Sequence, residues 1–133
     1  HVILTQSLGS SVADAATTVV SGGPLLVENG RVNVRTAEEQ MAPDIARGRA
    51  PRTAIGLKPD GTLLMLVVDG RSSASAGMTL AELAQYFVKL GAVSAVNYDG
   101  GGSSEMVING KIVNNPSDGR ERLVSIGLGL FIK

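Results

Sequence analysis

Cysteine is absent from this chain, and with it go disulfides, thiolate metal sites and cysteine nucleophiles. Tryptophan is absent too, and only Tyr86, Phe87, Tyr98 and Phe131 are aromatic. A binder of long polysaccharides presents exposed aromatic platforms. A chain this poor in rings favours a small pocket with polar recognition. The only histidine is His1, which argues against a Ser-His-Asp triad and excludes a multi-histidine zinc site. Nothing signals a carboxylate-and-water calcium site, so neither a metal nor a cofactor is expected. Neither sign of charge is in excess, with 12 Lys and Arg against 12 Asp and Glu. A nucleic-acid binder needs a basic surplus to displace counterions from phosphates, so no nucleic-acid partner is expected. No apolar run approaches the roughly 20 residues of a membrane helix, and no membrane insertion is expected. No signal peptide is visible.

What the chain does have fits a single globular domain spanning 1–133. Its 133 residues are 44% hydrophobic, enough to bury roughly two-thirds of the unfolded chain's surface. Seventeen glycines imply many turns, or backbone that must approach something closely.

Local patterns divide the chain into strands, turns and one helix. Val2-Ile3-Leu4-Thr5 reads as a short strand, and the Ala-rich stretch from Ser11 to Thr18 as a short helix or loop. Ser21-Gly22-Gly23-Pro24 is a turn cluster. Asn29-Gly30, between Leu25-Leu26-Val27 and Arg31 to Val34, predicts a hairpin, and Asn109-Gly110 predicts a second. Thr36 to Ala50 is a polar surface excursion with one helical turn at most, a common place for substrate contacts. Thr53 to Leu57 is a strand. Thr62 to Val68 is an almost unbroken apolar run, predicting a strand buried on both faces. Thr79 to Leu90 is the main helix: Thr79 and Glu82 form a capping box, and Leu80, Leu83, Ala84, Phe87 and Leu90 make one apolar face. Gly91 stops it. Ala92 to Tyr98 and Leu123 to Ile132 are further strands. The class is therefore α+β, a strand-rich mixed sheet with antiparallel hairpins. The strand–helix–strand unit over 62–98 is a candidate for parallel pairing.

Chemistry-bearing residues collect where strands end. The run Leu63 to Val68 ends at Asp69-Gly70-Arg71, and Val93 to Tyr98 ends at Asp99-Gly100-Gly101-Gly102-Ser103-Ser104. If the two strands are parallel neighbours, Asp69 and Asp99 face one crevice and supply paired carboxylates for acid–base or nucleophilic work. The plainer alternative is that each aspartate closes a turn next to glycine. Gly100 to Ser103 offers consecutive backbone N–H groups, a nest for an anion, although a tight hairpin accounts for the glycines equally well. It is neither a P-loop nor a dinucleotide fingerprint. Arg47, Arg49 and Arg120 read as solvated charge. Arg52 differs, because it stands at the entry to a buried strand, and arginine holds phosphate bidentately.

Taken in order, six motifs resemble the phosphodiester glycosidase family over roughly residues 20–133. They are Gly22-Gly23-Pro24-Leu25-Leu26, Pro51 to Gly56, Val68-Asp69-Gly70-Arg71, Gly77 to Ala84, Asn97 to Ser104, and Asn115-Pro116-Ser117-Asp118 with Arg120 to Arg122. The resemblance implies a hydrolase that cuts the glycosidic bond of a sugar phosphodiester, with a substrate like an N-acetylglucosamine 1-phosphodiester. It implies Asp69 and Asp99 as catalytic residues. It further implies Arg52, Thr53, Arg71, Gly100, Gly101, Gly102, Ser103, Asn115, Ser117 and Arg122 as substrate-binding residues. A secreted or envelope-associated location is also implied. Members of the family carry an N-terminal Asn-Gly-Gly-Phe-Phe-like motif that this chain does not show. The chain is thus expected to be the C-terminal portion of such a domain, with an upstream segment or second chain packing near residues 1–20. The alternatives are a non-catalytic carbohydrate- or anion-binding module and a purely structural assembly domain.

Overall fold

The computed structural model describes residues 16–131. Seven strands and two α-helices follow in chain order: β1 (Leu25–Glu28), β2 (Arg31–Val32), α1 (Pro43–Ala46), β3 (Arg52–Leu57), β4 (Leu63–Val68), α2 (Leu80–Lys89), β5 (Ser94–Asn97), β6 (Val107–Ile108) and β7 (Lys111–Ile112). The fold is strand-rich α+β, as expected. A five-stranded sheet has the order β2-β1-β5-β3-β4, and β6 and β7 form a separate two-stranded sheet. The expected strand over 2–5 and most of the stretch from Ser11 lie outside the described residues.

Both hairpins form where Asn-Gly stands. Asn29 and Gly30 have φ of 51° and 73°, and Asn109 and Gly110 have 52° and 74°. Positive φ at both central residues is the turn whose twist matches that of the flanking strands. The helix α2 follows its sequence closely. The Thr79 hydroxyl accepts from the Glu82 N–H at 3.2 Å, and the Glu82 carboxylate accepts from the Thr79 N–H at 3.0 Å. Gly91 takes φ of 85° after the last turn, a conformation that costs other residues a Cβ clash.

The apolar face of α2 builds the core. Leu80, Leu83, Ala84 and Phe87 pack with Leu26 and Val27 of β1, Ala54 of β3, and Ala92 and Ala95 around β5. Phe87 is fully buried, and a Cβ on Gly56 would stand 2.5 Å from its Cδ1. The glycine in β3 is therefore what lets the ring lie against the sheet.

Three expectations are corrected. First, β4 is an edge strand. It pairs with β3 alone among the described residues, and Met65 is 37% exposed, so its apolar run is half-buried. Second, β4 and β5 are parallel but not neighbours. Each pairs antiparallel with β3, which lies between them. The crossover through α2 skips one strand position. Third, the stretch from Leu123 through Phe131 forms no strand. Leu123, Ile126, Leu130 and Phe131 stand largely in solvent, because no sheet edge among the described residues receives them.

Candidate functional site

The sheet order decides what meets. β3 begins at Arg52, and the C-terminal ends of β4 and β5 flank it: Arg52 pairs with Val68, and Ala54 with Asn97. The Tyr98 N–H extends the second ladder by donating to the Thr53 carbonyl at 2.8 Å. The loops that begin at Asp69 and Asp99 therefore leave from either side of the Pro51-Arg52 entry. Gly101 N–H donates to the Pro51 carbonyl at 3.0 Å and holds the glycine loop there.

A cavity of about 390 Å³ opens at this point, within the range of small-ligand sites. Its walls include Arg52, Arg71, Asp44, Asn97, Asp99 and Gly101. A depression of about 400 Å³ lies at the β1–β2 hairpin. Its carboxylate, Glu28, already accepts from Asn33 and Arg35, so it offers little to a ligand.

Arg52 is 3% exposed, and the protein straps its guanidinium in place. Nε donates to Met78 O at 2.9 Å, one terminal nitrogen to Ile45 O at 3.2 Å and the other to Gly48 O at 3.1 Å. Arginine has five N–H groups, so each terminal nitrogen keeps one N–H beyond these three bonds. Burial, and then the Arg71 charge, push its pKa below the usual arginine value. Arg71 is exposed, has φ of 56°, and lies against Gly101, where a Cβ would come within 3.2 Å of its guanidinium. The fold thus holds two cations close enough to repel. An anion between them relieves that repulsion.

The other expected residues divide. Asp99 lines the cavity; one carboxylate oxygen accepts from Gly100 N–H at 2.9 Å. Asp69 does not line it. Its Oδ1 accepts from Asn114 Nδ2 and Asn115 N, both at 3.0 Å, and its Oδ2 from Asn115 N at 3.1 Å. The common crevice expected for both aspartates is therefore corrected, because the loop 114–115 claims the Asp69 carboxylate. The nest is corrected as well. The N–H groups of Gly100, Gly101 and Ser103 are engaged by Asp99, Pro51 O and Gly100 O. These glycines serve close approach instead: a Cβ on Gly102 would meet the Asp118 carboxylate at 2.3 Å.

Thr53 donates its hydroxyl to Ser104 at 3.2 Å. Arg122 pairs with Asp118 at 3.5 Å. Asn115 binds Asp69 through its backbone, and the Ser117 hydroxyl oxygen is buried without a partner. Gly100 and Gly101 are on the cavity wall, whereas Thr53, Gly102, Ser103, Asn115, Ser117 and Arg122 are not among its residues. Arg49, read as solvated charge, instead binds Glu82 and Gly77 O. The sequence reading gave no role to Asp44, which stands in the first turn of α1, or to Asn97. Neither has a local signal, since the wall they share is assembled from segments far apart in the chain.

Four of the six motifs, those that begin at Gly22, Pro51, Val68 and Asn97, place residues on the wall of one cavity, whereas those that begin at Gly77 and Asn115 do not. The phosphodiester glycosidase family model matches residues 2–131. The chain is 44% identical over 90 residues to the SPbeta prophage-derived uncharacterized protein YomE of Bacillus subtilis (strain 168), covering 68% of this chain and 14% of that protein. It is 32% identical over 109 residues to the Homo sapiens N-acetylglucosamine-1-phosphodiester alpha-N-acetylglucosaminidase, covering 75% and 21%. It superposes on the catalytic domain of the zebrafish enzyme of that name, a structure auto-inhibited by its pro-peptide. The TM-score is 0.64 and the identity 29%, over 74% of this chain and 34% of that one. The chain therefore spans a minor part of each relative's length. With the family model matched over residues 2–131, the chain belongs to the phosphodiester glycosidase family.

Proposed function

We propose that this chain supplies the phosphate-binding and hydrolytic part of a glycosidase acting on sugar phosphodiesters. The observation that carries the reading is the pair Arg52 and Arg71 on the wall of one cavity beside the Asp99 carboxylate. A phosphodiester offers the anion that two arginines hold, and its anomeric carbon then falls to the carboxylate.

The chemistry needs few groups. Water adds to the anomeric carbon, its proton passing to Asp99. The bond from that carbon to the phosphate oxygen breaks, and the electron pair leaves with the phosphate. The products are a free sugar and a phosphomonoester. A phosphomonoester has a second pKa near 6, so it departs without a donated proton. One carboxylate suffices, with the arginines stabilising the departing charge. This accounts for a site in which Asp69 is engaged elsewhere, holding the loop 114–118.

The test is an assay of the protein on an N-acetylglucosamine 1-phosphodiester and on para-nitrophenyl N-acetylglucosaminide. Release of sugar from the diester, with far slower release from the uncharged glycoside, is the expected result. Equal rates on both would remove the role assigned to the arginines. Binding of the diester without turnover would favour a carbohydrate-binding module on the same scaffold.

A further inference from the structure

Four strands end or begin at the cavity, side by side. In the sheet order β1-β5-β3-β4, the residues at that end are Gly22 and Gly23, then Tyr98, then Arg52, then Arg71, and all of them line the cavity. Neighbouring strands stand about 4.8 Å apart, so the cavity has two sides. Both arginines lie on the β3–β4 side, and Gly22, Gly23 and Tyr98 form the β1–β5 side. Of the four aromatic residues, Tyr98 alone is on the wall. Its backbone is fixed twice: the N–H donates to Thr53 O at 2.8 Å, and the carbonyl accepts from Asn97 Nδ2 at 2.7 Å. The carbon that bears its hydroxyl lies over Gly22, where a Cβ would stand 3.3 Å from Cζ and from Cε1. The ring is half-buried, yet its hydroxyl bonds to no group among the described residues and is not enclosed by them. Burial raises the pKa of the phenol, so at neutral pH it keeps its proton and can donate.

We infer that Tyr98 is the residue that recognises the sugar, its hydroxyl hydrogen-bonding one sugar oxygen and its ring covering the C–H surface beside it, while Arg52 and Arg71 hold the phosphate. The inference rests on the proposed function and deepens it, because it assigns the two ends of the ligand to the two sides of the cavity. Asp99, assigned to the anomeric carbon, follows Tyr98 directly in the chain. That puts the sugar, rather than the aglycone, on the β5 side. A tyrosine suits this place because it joins an apolar body to a polar tip. The arginines are indifferent to what the phosphate carries, whereas a phenol fixed one strand away is not.

The test is Tyr98→Phe in the full chain, which keeps the ring and removes only the hydroxyl. That group has no partner among the described residues, so the melting temperature should not change. Inorganic phosphate, glycerol 1-phosphate and an N-acetylhexosamine 1-phosphate are titrated into parent and variant by calorimetry. The expected result is a loss of about 3- to 10-fold for the sugar phosphate alone, with the other two ligands binding as before. The chain has no tryptophan and only one other tyrosine, Tyr86, so tyrosine fluorescence reports on this ring. The sugar phosphate should change the emission of the parent, and inorganic phosphate should leave it unchanged. Unaltered affinity for the sugar phosphate in the variant would overturn the role of Tyr98. So would an equal loss for inorganic phosphate, which would place the hydroxyl on the anion, or for glycerol 1-phosphate, which would place it on the aglycone. In each of these cases the arginine site stands. Failure of all three ligands to bind the parent would overturn the proposed function itself.

Discussion

Arg52 and Arg71 carry the same charge into one cavity, but the protein treats them differently. Arg52 is strapped to three carbonyls. Arg52→Lys loses the planar fork that reaches them, so it should lower stability by about 2–4 kcal/mol as well as weaken a phosphate ligand. Arg71 is exposed. Arg71→Ala should leave the melting temperature within a degree or two and weaken inorganic phosphate binding about 10-fold or more. Calorimetry and thermal melts on both variants check this; a stability loss confined to Arg71→Ala would reverse the assignment. Of the two cavity carboxylates, Asp99 is the one assigned to the water. Asp99→Asn should lower turnover about 100-fold or more, while Asp44→Asn should change it less than 10-fold, since a phosphate leaving group needs no acid. Steady-state rates on the diester decide between them.

At the scale of elements, α2 is the support on which the site is raised. Thr79→Ala removes the cap and should cost about 1 kcal/mol in chemical denaturation. The Glu82 carboxyl is held below its ordinary value, first by the Thr79 N–H and further by the Thr79 hydroxyl and Arg49. Its folded pKa is depressed, so its contribution is present above the unfolded glutamate value and is lost as pH falls through the folded one. Glu82→Gln keeps a capping partner but removes that titration. Its melting temperature should therefore fall less than that of the parent between pH 7 and pH 3. Gly56→Ala places a Cβ against the Phe87 ring and should destabilise by about 1–3 kcal/mol through overpacking. No loss in that variant would mean that the ring moves freely.

Across the whole molecule, apolar surface gathers at one end of the chain. Val107, Ile108, Ile112 and Val113 are half-exposed, and Leu123, Ile126, Leu130 and Phe131 are more so. Exposed apolar surface of this extent favours association, and the outer edge of β4, unpaired among the described residues, is backbone that another strand can join. The chain alone should therefore associate in a concentration-dependent way. Replacing Leu130 and Phe131 with Lys should shift it toward monomer without changing the melting temperature, as light scattering after size exclusion would show. No helix among the described residues is long and apolar enough to cross a membrane.

The sequence by itself determined whatever depends on neighbours in the chain. The capping box of α2, its apolar face, its glycine stop and both Asn-Gly turns are local arrangements, and each formed where its residues stand. The ordered motifs were also sufficient for the family. Only the tertiary structure decided which residues share a wall. Strand order is set by how α2 covers β1 and β5, and that order inserted β3 between the two strand ends. Two aspartates with matching local sequence consequently met different partners: Asp99 reached the cavity, and Asp69 was taken by Asn114 and Asn115. The same order made Thr62 to Val68 an edge, although its composition reads as a buried strand. Asn97 was legible only as part of a motif. Its side chain is held by the carbonyl of Gly23, 74 positions away in the chain, and no pattern of spacing within one segment records a contact of that reach.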